Sequence, residues 1–494
     1  MVLPFPVRAS TPGEERRPGW RDPVRWALAV MIGGWSATFF VLGWQRHHRF
    51  GTFGFDLGIY DQALWLLSRF ETPFITLRGL NFWGHHVNVI GVVLVPFYWL
   101  GAGPAFLLAV QLASQAVGAV AVFLLARDRL RARWPAVALA GVLLLHPTYQ
   151  FLAWEFFHFD ALALGPLLLA YWAARARRWR WFAVAAVLAV ACKEDVALAM
   201  VVLGILIALR GDRRIGAAVS GLAAVWWVVA TRLVIPAANG IGPFYDTFFS
   251  EFGSSAGDVV VDVATDPVKA GRVALGPSRL AYYRMMFAPV AFLPVFALPT
   301  LAVALPMLAV NALSSFPYTR EIRYHYSALV LAGVILATVE AIAFLGRTPS
   351  RRAFLVGLVA ATSLASTVAW GPSPISTKYH TGLWVGRGDP SLAAKKGAVD
   401  LVPARASASV SFEFAPHMTH RQKIYEWPVP WRNLNWGVRG ENLDDPGGVD
   451  WLVIDRLLLT SEDAELLDRL LAREFTVVSE RQSIVVARRI RPPA

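Results

Sequence analysis

The chain has 494 residues, 56% hydrophobic and only 16% charged, with a formal net charge of +13 and a mean hydropathy of +0.47. Soluble chains carry roughly 45–50% apolar and about 25% charged residues, so these proportions exclude an ordinary soluble globule. The cations stand in short runs between apolar segments, which marks cytoplasmic loops of a membrane protein and argues against a nucleic-acid partner.

A spanning helix needs about 20 mostly apolar residues. The first candidate, 26–43, follows Arg16, Arg17, Arg21 and Arg25, which predicts a cytoplasmic N-terminus. No small-residue cleavage site follows it, so it reads as a retained helix. The next clear span, 105–126, runs into the cationic loop RDRLRARW, so 44–103 is expected outside. Within that loop, VNVIGVVLVPFYWLG is too short to cross and reads as a helix at the outer interface. Spans at 135–151, 159–174, 182–192, 196–209 and 215–235 then alternate across the membrane, meeting RARRWRWR and RGDRR on the cytoplasmic side. After a polar loop, 236–284, spans 285–298 and 300–313 form a hairpin about Pro299. Span 326–345 returns to GRTPSRR, and 354–370 leads out again. Several of these are shorter than about 17 residues, as helices broken around a cavity would be.

From 371 the pattern changes to that of a small α/β domain. ASVSFEF, DWLVIDRLLL, FTVVSE and QSIVVARR read as strands, and SEDAELLDRLLARE as an amphipathic helix capped near Thr460 or Ser461. The predicted fold is mainly α and polytopic, with about eleven transmembrane helices. Its parts are a cytoplasmic tail, 1–25, a transmembrane domain, 26–370, with outer loops 44–103, 236–284 and 314–325, and an extracytoplasmic domain, 371–494. The single cysteine, Cys192, allows no intramolecular disulfide. The chain has no P-loop, dinucleotide fingerprint or internal repeat.

Ionisable residues of the outer side gather in four turns. The first loop carries Asp56, Asp61, His85 and His86; WEFFHFDAL carries Glu155, His158 and Asp160; CKEDVAL carries Lys193, Glu194 and Asp195; PYTREIRYHYS carries Arg323 and His325. Ionisable groups at membrane depth cost about 2.5–3.5 kcal/mol each on insertion scales, so they face polar cavities and work there. Solvated loop charges are the plainer reading for any one of them. A metal is a competing reading, through His85, His86, Glu155, His158 and Asp160, but no zinc-type spacing is present.

FDLGIYDQALW, GHHVNVIGVVLVPFYWL, REIRYHYSA and APHMTHRQKIYEWP resemble a membrane family of unknown function that is grouped with the GT-C glycosyltransferases. The resemblance covers nearly the whole chain. It implies a GT-C-like arrangement of helices and an inverting transfer of a sugar from a polyprenyl-phosphate donor at the outer face of the membrane. The acceptor would be a glycan, a lipid or a protein of the envelope, and membrane lipids would surround the site. The resemblance places the catalytic acid at Asp56, in the first outer loop. With a helix starting near Leu57, Asp61 would point to another face. Asp61, His85, His86, Glu155, His158, Asp160, Lys193, Glu194, Arg323 and His325 are the expected substrate-binding residues, with Lys193, Arg323 and His325 for the phosphate. No cofactor is expected. Some members of the class use a divalent ion, whereas those with monophosphate lipid donors generally do not. The Ala, Arg, Val and Gly bias is that of a GC-rich bacterial genome, and the expected location is the cytoplasmic membrane of a bacterium. The alternatives are a transporter of a lipid-linked saccharide, which would more often show repeated halves, and a non-catalytic envelope assembly protein.

Overall fold

The computed structural model describes residues 22–253, 256–384, 389–434 and 443–490, and the expected tail up to residue 21 lies outside them. The chain is mainly helical. Among the described residues, six helices are long and apolar enough to cross a membrane: Pro23–His48, Pro104–Leu130, Arg213–Asn239, Leu293–Leu313, His325–Leu345 and Pro349–Trp370. The helices Arg133–Leu145 and Pro147–Glu155, bent by 51° at the break between them, together pass the same test of length and composition, as a broken span or a re-entrant loop does. The expected spans at 159–174, 182–192 and 196–209 correspond to helices Phe159–Arg175, Trp179–Cys192 and Val196–Leu209, of 17, 14 and 14 residues.

The expected hairpin about Pro299 is corrected. Leu293–Leu313 is one succession of short helical pieces that qualifies as a single span. Pro294, Pro299 and Pro306 each stand in the first turn of a new piece, where the missing N–H has no partner to lose. The chain turns earlier, at Ala291 and Phe292, both left-handed.

Contacts divide the chain into two compact units. The first comprises 1–41, 109–233 and 248–383. At its centre runs His325–Leu345, 83% of whose apolar window is buried, against 28% for Pro349–Trp370. A helix apolar all round belongs in a core, whereas the outer helices keep apolar surface for lipid. Val196–Leu209 and Arg213–Val229 approach closely through glycines. A Cβ on Gly204 would stand 2.7 Å from the Gly216 carbonyl oxygen, and one on Gly216 2.4 Å from that of Gly204. Small residues give membrane helices this approach.

The cationic helix ends of this unit converge on one carboxylate. Arg129 Nε lies 2.8 Å and Arg175 Nε 3.0 Å from Glu340. Tyr171 Oη donates to Glu340 at 3.1 Å, and Arg210 donates to Tyr171 Oη at 3.2 Å. Arginines at helix C-termini also meet the negative end of the helix dipole. The N-terminal ends of Phe159–Arg175, Val196–Leu209 and Ala328–Leu345 lie about 20–25 Å away along the helices, at 1.5 Å per residue. Those ends carry the acidic and imidazole groups of the next section.

The second unit comprises 42–108, 234–247 and 384–494. It therefore joins the first loop to the C-terminal segment, which enters this unit at 384. A short ribbon pairs β1 (Phe74–Ile75) with β2 (Leu80–Asn81). The main sheet comprises β3 (Ala408–Val410), β4 (Ile424–Glu426), β5 (Trp451–Asp455), β6 (Phe475–Arg481) and β7 (Ile484–Arg489). Its order is β4-β3-β5-β7-β6, with β3 parallel to β4 and β5, and β7 antiparallel to β5 and β6. Helix Ser461–Arg473 is capped by Thr460, whose hydroxyl accepts from the Asp463 N–H at 3.2 Å. It buries Leu467 and Leu470 against Leu452, Ile454, Phe475 and Val485. Strand β4 shows no alternation because it is buried on both faces. The first loop is stitched to it: Thr76 Oγ1 donates to the Ile424 carbonyl, and Gln62 Nε2 to that of Gln422 at 3.2 Å.

Candidate active site

In the first unit, helix Pro147–Glu155 stops because Phe156 turns to φ 94°. His158 is then extended (φ −154°, ψ 144°) and caps helix Phe159–Arg175. The result is a ladder of buried ionisable side chains. Glu155 Oε1 lies 2.8 Å from His325 Nδ1. The His325 ring lies parallel to that of His158, centroids 3.4 Å apart and planes 3° apart. His158 Nδ1 is 2.8 Å from Asp160 Oδ2. Lys193 Nζ lies 3.1 Å from the same oxygen and donates to Asp160 Oδ1 at 3.3 Å. Asp195 Oδ2 lies on the far side of the ammonium, at 3.3 Å. Gln111 of Pro104–Leu130 holds the turn by accepting the His158 N–H at 2.7 Å.

The electrostatics follow from this order. Four carboxyl groups, those of Glu155, Asp160, Glu194 and Asp195, accompany one lysine and two imidazoles. Burial opposes the Lys193 charge, but Asp160, Asp195 and Glu194 hold the ammonium pKa above its ordinary value. His325 Nδ1 faces the Glu155 carboxylate at 2.8 Å, whereas His158 Nδ1 lies 2.8 Å from Asp160 Oδ2 and accepts the Asp160 N–H at 3.2 Å.

Thus the ladder unites Glu155, His158, Asp160, Lys193 and His325 from three separate turns, with Glu194 fully buried beside them. It does not bring Arg323 to Lys193. Arg323 is 44% exposed and pairs with Glu321 at 2.6 Å, while the Lys193 charge is taken up by two carboxylates. Arg323→Ala should therefore change the unfolding midpoint by less than about 0.5 kcal/mol, as exposed pairs do. A larger loss would place Arg323 in the packed structure.

The second unit separates the two aspartates of the first loop. Asp61 is fully buried. Tyr98 Oη donates to it at 2.7 Å, Thr419 Oγ1 also donates to it, and His420 Nε2 lies 3.1 Å away. It is a joint between the first loop, the helix Gly91–Trp99 and the C-terminal segment. Asp56 is half-buried and sits at φ 63°, ψ −80°, just before helix Ile59–Ser68. A non-glycine residue held there costs about 1–3 kcal/mol, a strain that clusters at working sites. His85 and His86 lie elsewhere in this unit, stacked on Phe244 and Tyr245 with centroids 5.3 and 5.7 Å apart. Aromatic packing accounts for both rings, and the five expected metal donors are thus not one cluster within either unit. Sequence reasoning missed Tyr98, Thr419 and His420, although the last two stand in APHMTHRQKIYEWP.

Comparison with known proteins agrees with this fold. The family described as "Predicted membrane protein (DUF2079)" matches residues 46–486. No curated protein matches the chain in sequence. Among solved structures, the chain is similar to ArnT from Cupriavidus metallidurans in the apo state, with a TM-score of 0.55 and 14% identity over 94% of this chain and 98% of that one.

Proposed function

Since the chain belongs to the DUF2079 family of predicted membrane proteins and shares the fold of ArnT, a GT-C glycosyltransferase, we propose that it is a membrane glycosyltransferase of the GT-C type. Its donor is a sugar on a polyprenyl phosphate. Its acceptor is a hydroxyl of an envelope glycan, lipid or protein at the outer face of the bacterial cytoplasmic membrane.

In this reaction the acceptor oxygen attacks the anomeric carbon. The bond from that carbon to the phosphate oxygen breaks, with inversion. The acceptor proton passes to a carboxylate, for which Asp56 is proposed. The products are a glycoside and the polyprenyl phosphate, whose growing negative charge needs a preorganised donor. The imidazole pair is proposed for that charge, because a ring N–H that is not turned to a carboxylate can donate to an oxyanion. Lys193 acts on it through Asp160 and is a positioning residue.

The observation that carries this reading is the stacked His158–His325 pair, each ring held by its own carboxylate. A buried network of this kind on a membrane helix bundle is costly unless it works. The test is transfer from a panel of radiolabelled polyprenyl-phosphate sugars by the full chain in lipid nanodiscs. Labelled glycoside is the expected product. Movement of intact donor across the bilayer without transfer would make the protein a transporter instead.

The proposed topology has its own check. A reporter active only in the cytoplasm, fused after Ala494, should stay silent, and a strong signal would reverse the sidedness on which the acceptor class depends.

A further inference from the structure

A buried carboxyl in the second unit has no role so far. Glu426 ends strand β4, and only 9% of its surface is exposed. Among the described residues its side chain has no hydrogen bond or ion pair. Its Oε2 would stand 3.3 Å from a Cβ on Gly54, and that Cβ would also lie 2.7 Å from Ala415 Cβ. Gly54 thus leaves the room in which the carboxyl reaches the Gly54–Gly58 loop, where Asp56 is held in its strained conformation. The loop is tied down by its own backbone: the Gly54 N–H donates to the Phe412 carbonyl at 3.1 Å. Burial alone pushes the Glu426 pKa up to about 7.

We propose that Glu426 binds a hydroxyl of the acceptor, a sugar or similar polyol, beside the Asp56 loop, so that the C-terminal segment contributes directly to acceptor recognition. This rests on the transferase reading above. The chemistry selects a hydroxyl over a phosphate. A carboxyl with no cation beside it repels an anion once ionised. A hydroxyl, in contrast, pairs with it in either state, accepting from the acid or donating to the carboxylate. The mostly buried carboxyl keeps a narrow solvent edge, where an incoming hydroxyl can take the place of water.

The test uses the full chain in nanodiscs, with alkyl glycosides as acceptors and donor hydrolysis as the readout of the donor side. Glu426→Leu should raise the acceptor KM by about tenfold or more, the worth of a buried hydrogen bond to a group that carries charge. Donor hydrolysis should stay at the parental rate. The unfolding temperature should hold or rise, because the variant removes a polar group that the empty protein leaves unpaired. Glu426→Gln keeps the shape and both hydrogen-bonding roles, and should recover most of the acceptor affinity. A parental acceptor KM in Glu426→Leu overturns the proposal. So does a fall in unfolding temperature with all rates reduced together, which marks a structural residue. A second measurement needs no turnover: a diazirine-bearing alkyl glycoside should label the 54–58 loop or β4 in the parent, and the label should fall in Glu426→Leu. If the parent uses no donor in the panel, the transferase reading fails on its own, and absence of this labelling overturns the Glu426 site separately.

Discussion

Asp56→Asn should lose sugar transfer by about 10²–10⁴-fold, the usual cost of removing a general base, while its unfolding midpoint and donor binding stay parental. The replacement keeps the side-chain shape but cannot accept the proton of the attacking hydroxyl. Asp61→Asn should do the reverse. Its carboxylate accepts from Tyr98 and Thr419 and lies against His420, and nothing in that arrangement points it at substrate. Each buried group left without its partner costs about 1–3 kcal/mol, so the Asp61 variant should unfold earlier and keep its rate per folded molecule. The paired measurement is transfer rate against thermal unfolding in the same nanodisc preparation. Parental transfer by Asp56→Asn, with a folded but inactive Asp61→Asn, would exchange the two roles.

The largest stability effect is expected at Lys193. Its ammonium is 4% exposed and stands against Asp160, itself 2% exposed. Lys193→Met leaves that carboxylate buried without its cation, a change that costs about 3–5 kcal/mol. Asp160→Asn in the same chain removes the stranded charge. The double variant should therefore be more stable than Lys193→Met alone, and a double-mutant cycle should return a coupling of about 0.5–3 kcal/mol. An additive cycle would mean that the pair contributes nothing as a pair, and would remove Lys193 as the residue that positions Asp160 and His158. The same variant separates position from chemistry. If Lys193 held the donor phosphate directly, Lys193→Arg would preserve donor binding. In the ladder, Asp160 and Asp195 stand 3.1 and 3.3 Å from the ammonium, so the larger guanidinium should move one of them and disturb the ring pair.

Much of this protein was legible along the chain, because membrane insertion imposes local rules. A crossing must satisfy its backbone internally and be apolar over its length, so Pro104–Leu130, His325–Leu345 and Pro349–Trp370 are visible as runs of hydropathy. Cationic loops mark one set of helix ends, and the polar turns at 155–160, 193–195 and 320–325 mark the other. The cap at Thr460 is equally local, since a hydroxyl that accepts from an N–H three residues later needs no tertiary contact. Pro299 misled for a related reason. Proline breaks a helix interior, but at the first turn of a new piece it is tolerated, and only the fold tells the two apart.

Partnership is another matter. Composition and spacing place Glu155, His158 and His325 at helix ends, but the bond from Glu155 to His325 and the parallel rings of His158 and His325 join segments about 170 residues apart. Asp61 and Thr419 are separated by 358 positions. Such pairs are set by how helices and strands pack, and no periodicity within a single element encodes them. The amino-acid sequence by itself determined that the chain spans a membrane, where its ionisable residues fall, and that two aspartates follow the first span. The tertiary structure alone decided that Asp61 is consumed as a joint, that Asp56 is held strained, and that Lys193 is neutralised while Arg323 stays outside the ladder. The reason is physical: a side chain's chemistry is set by the burial and charge around it, and those come from residues distant in the chain.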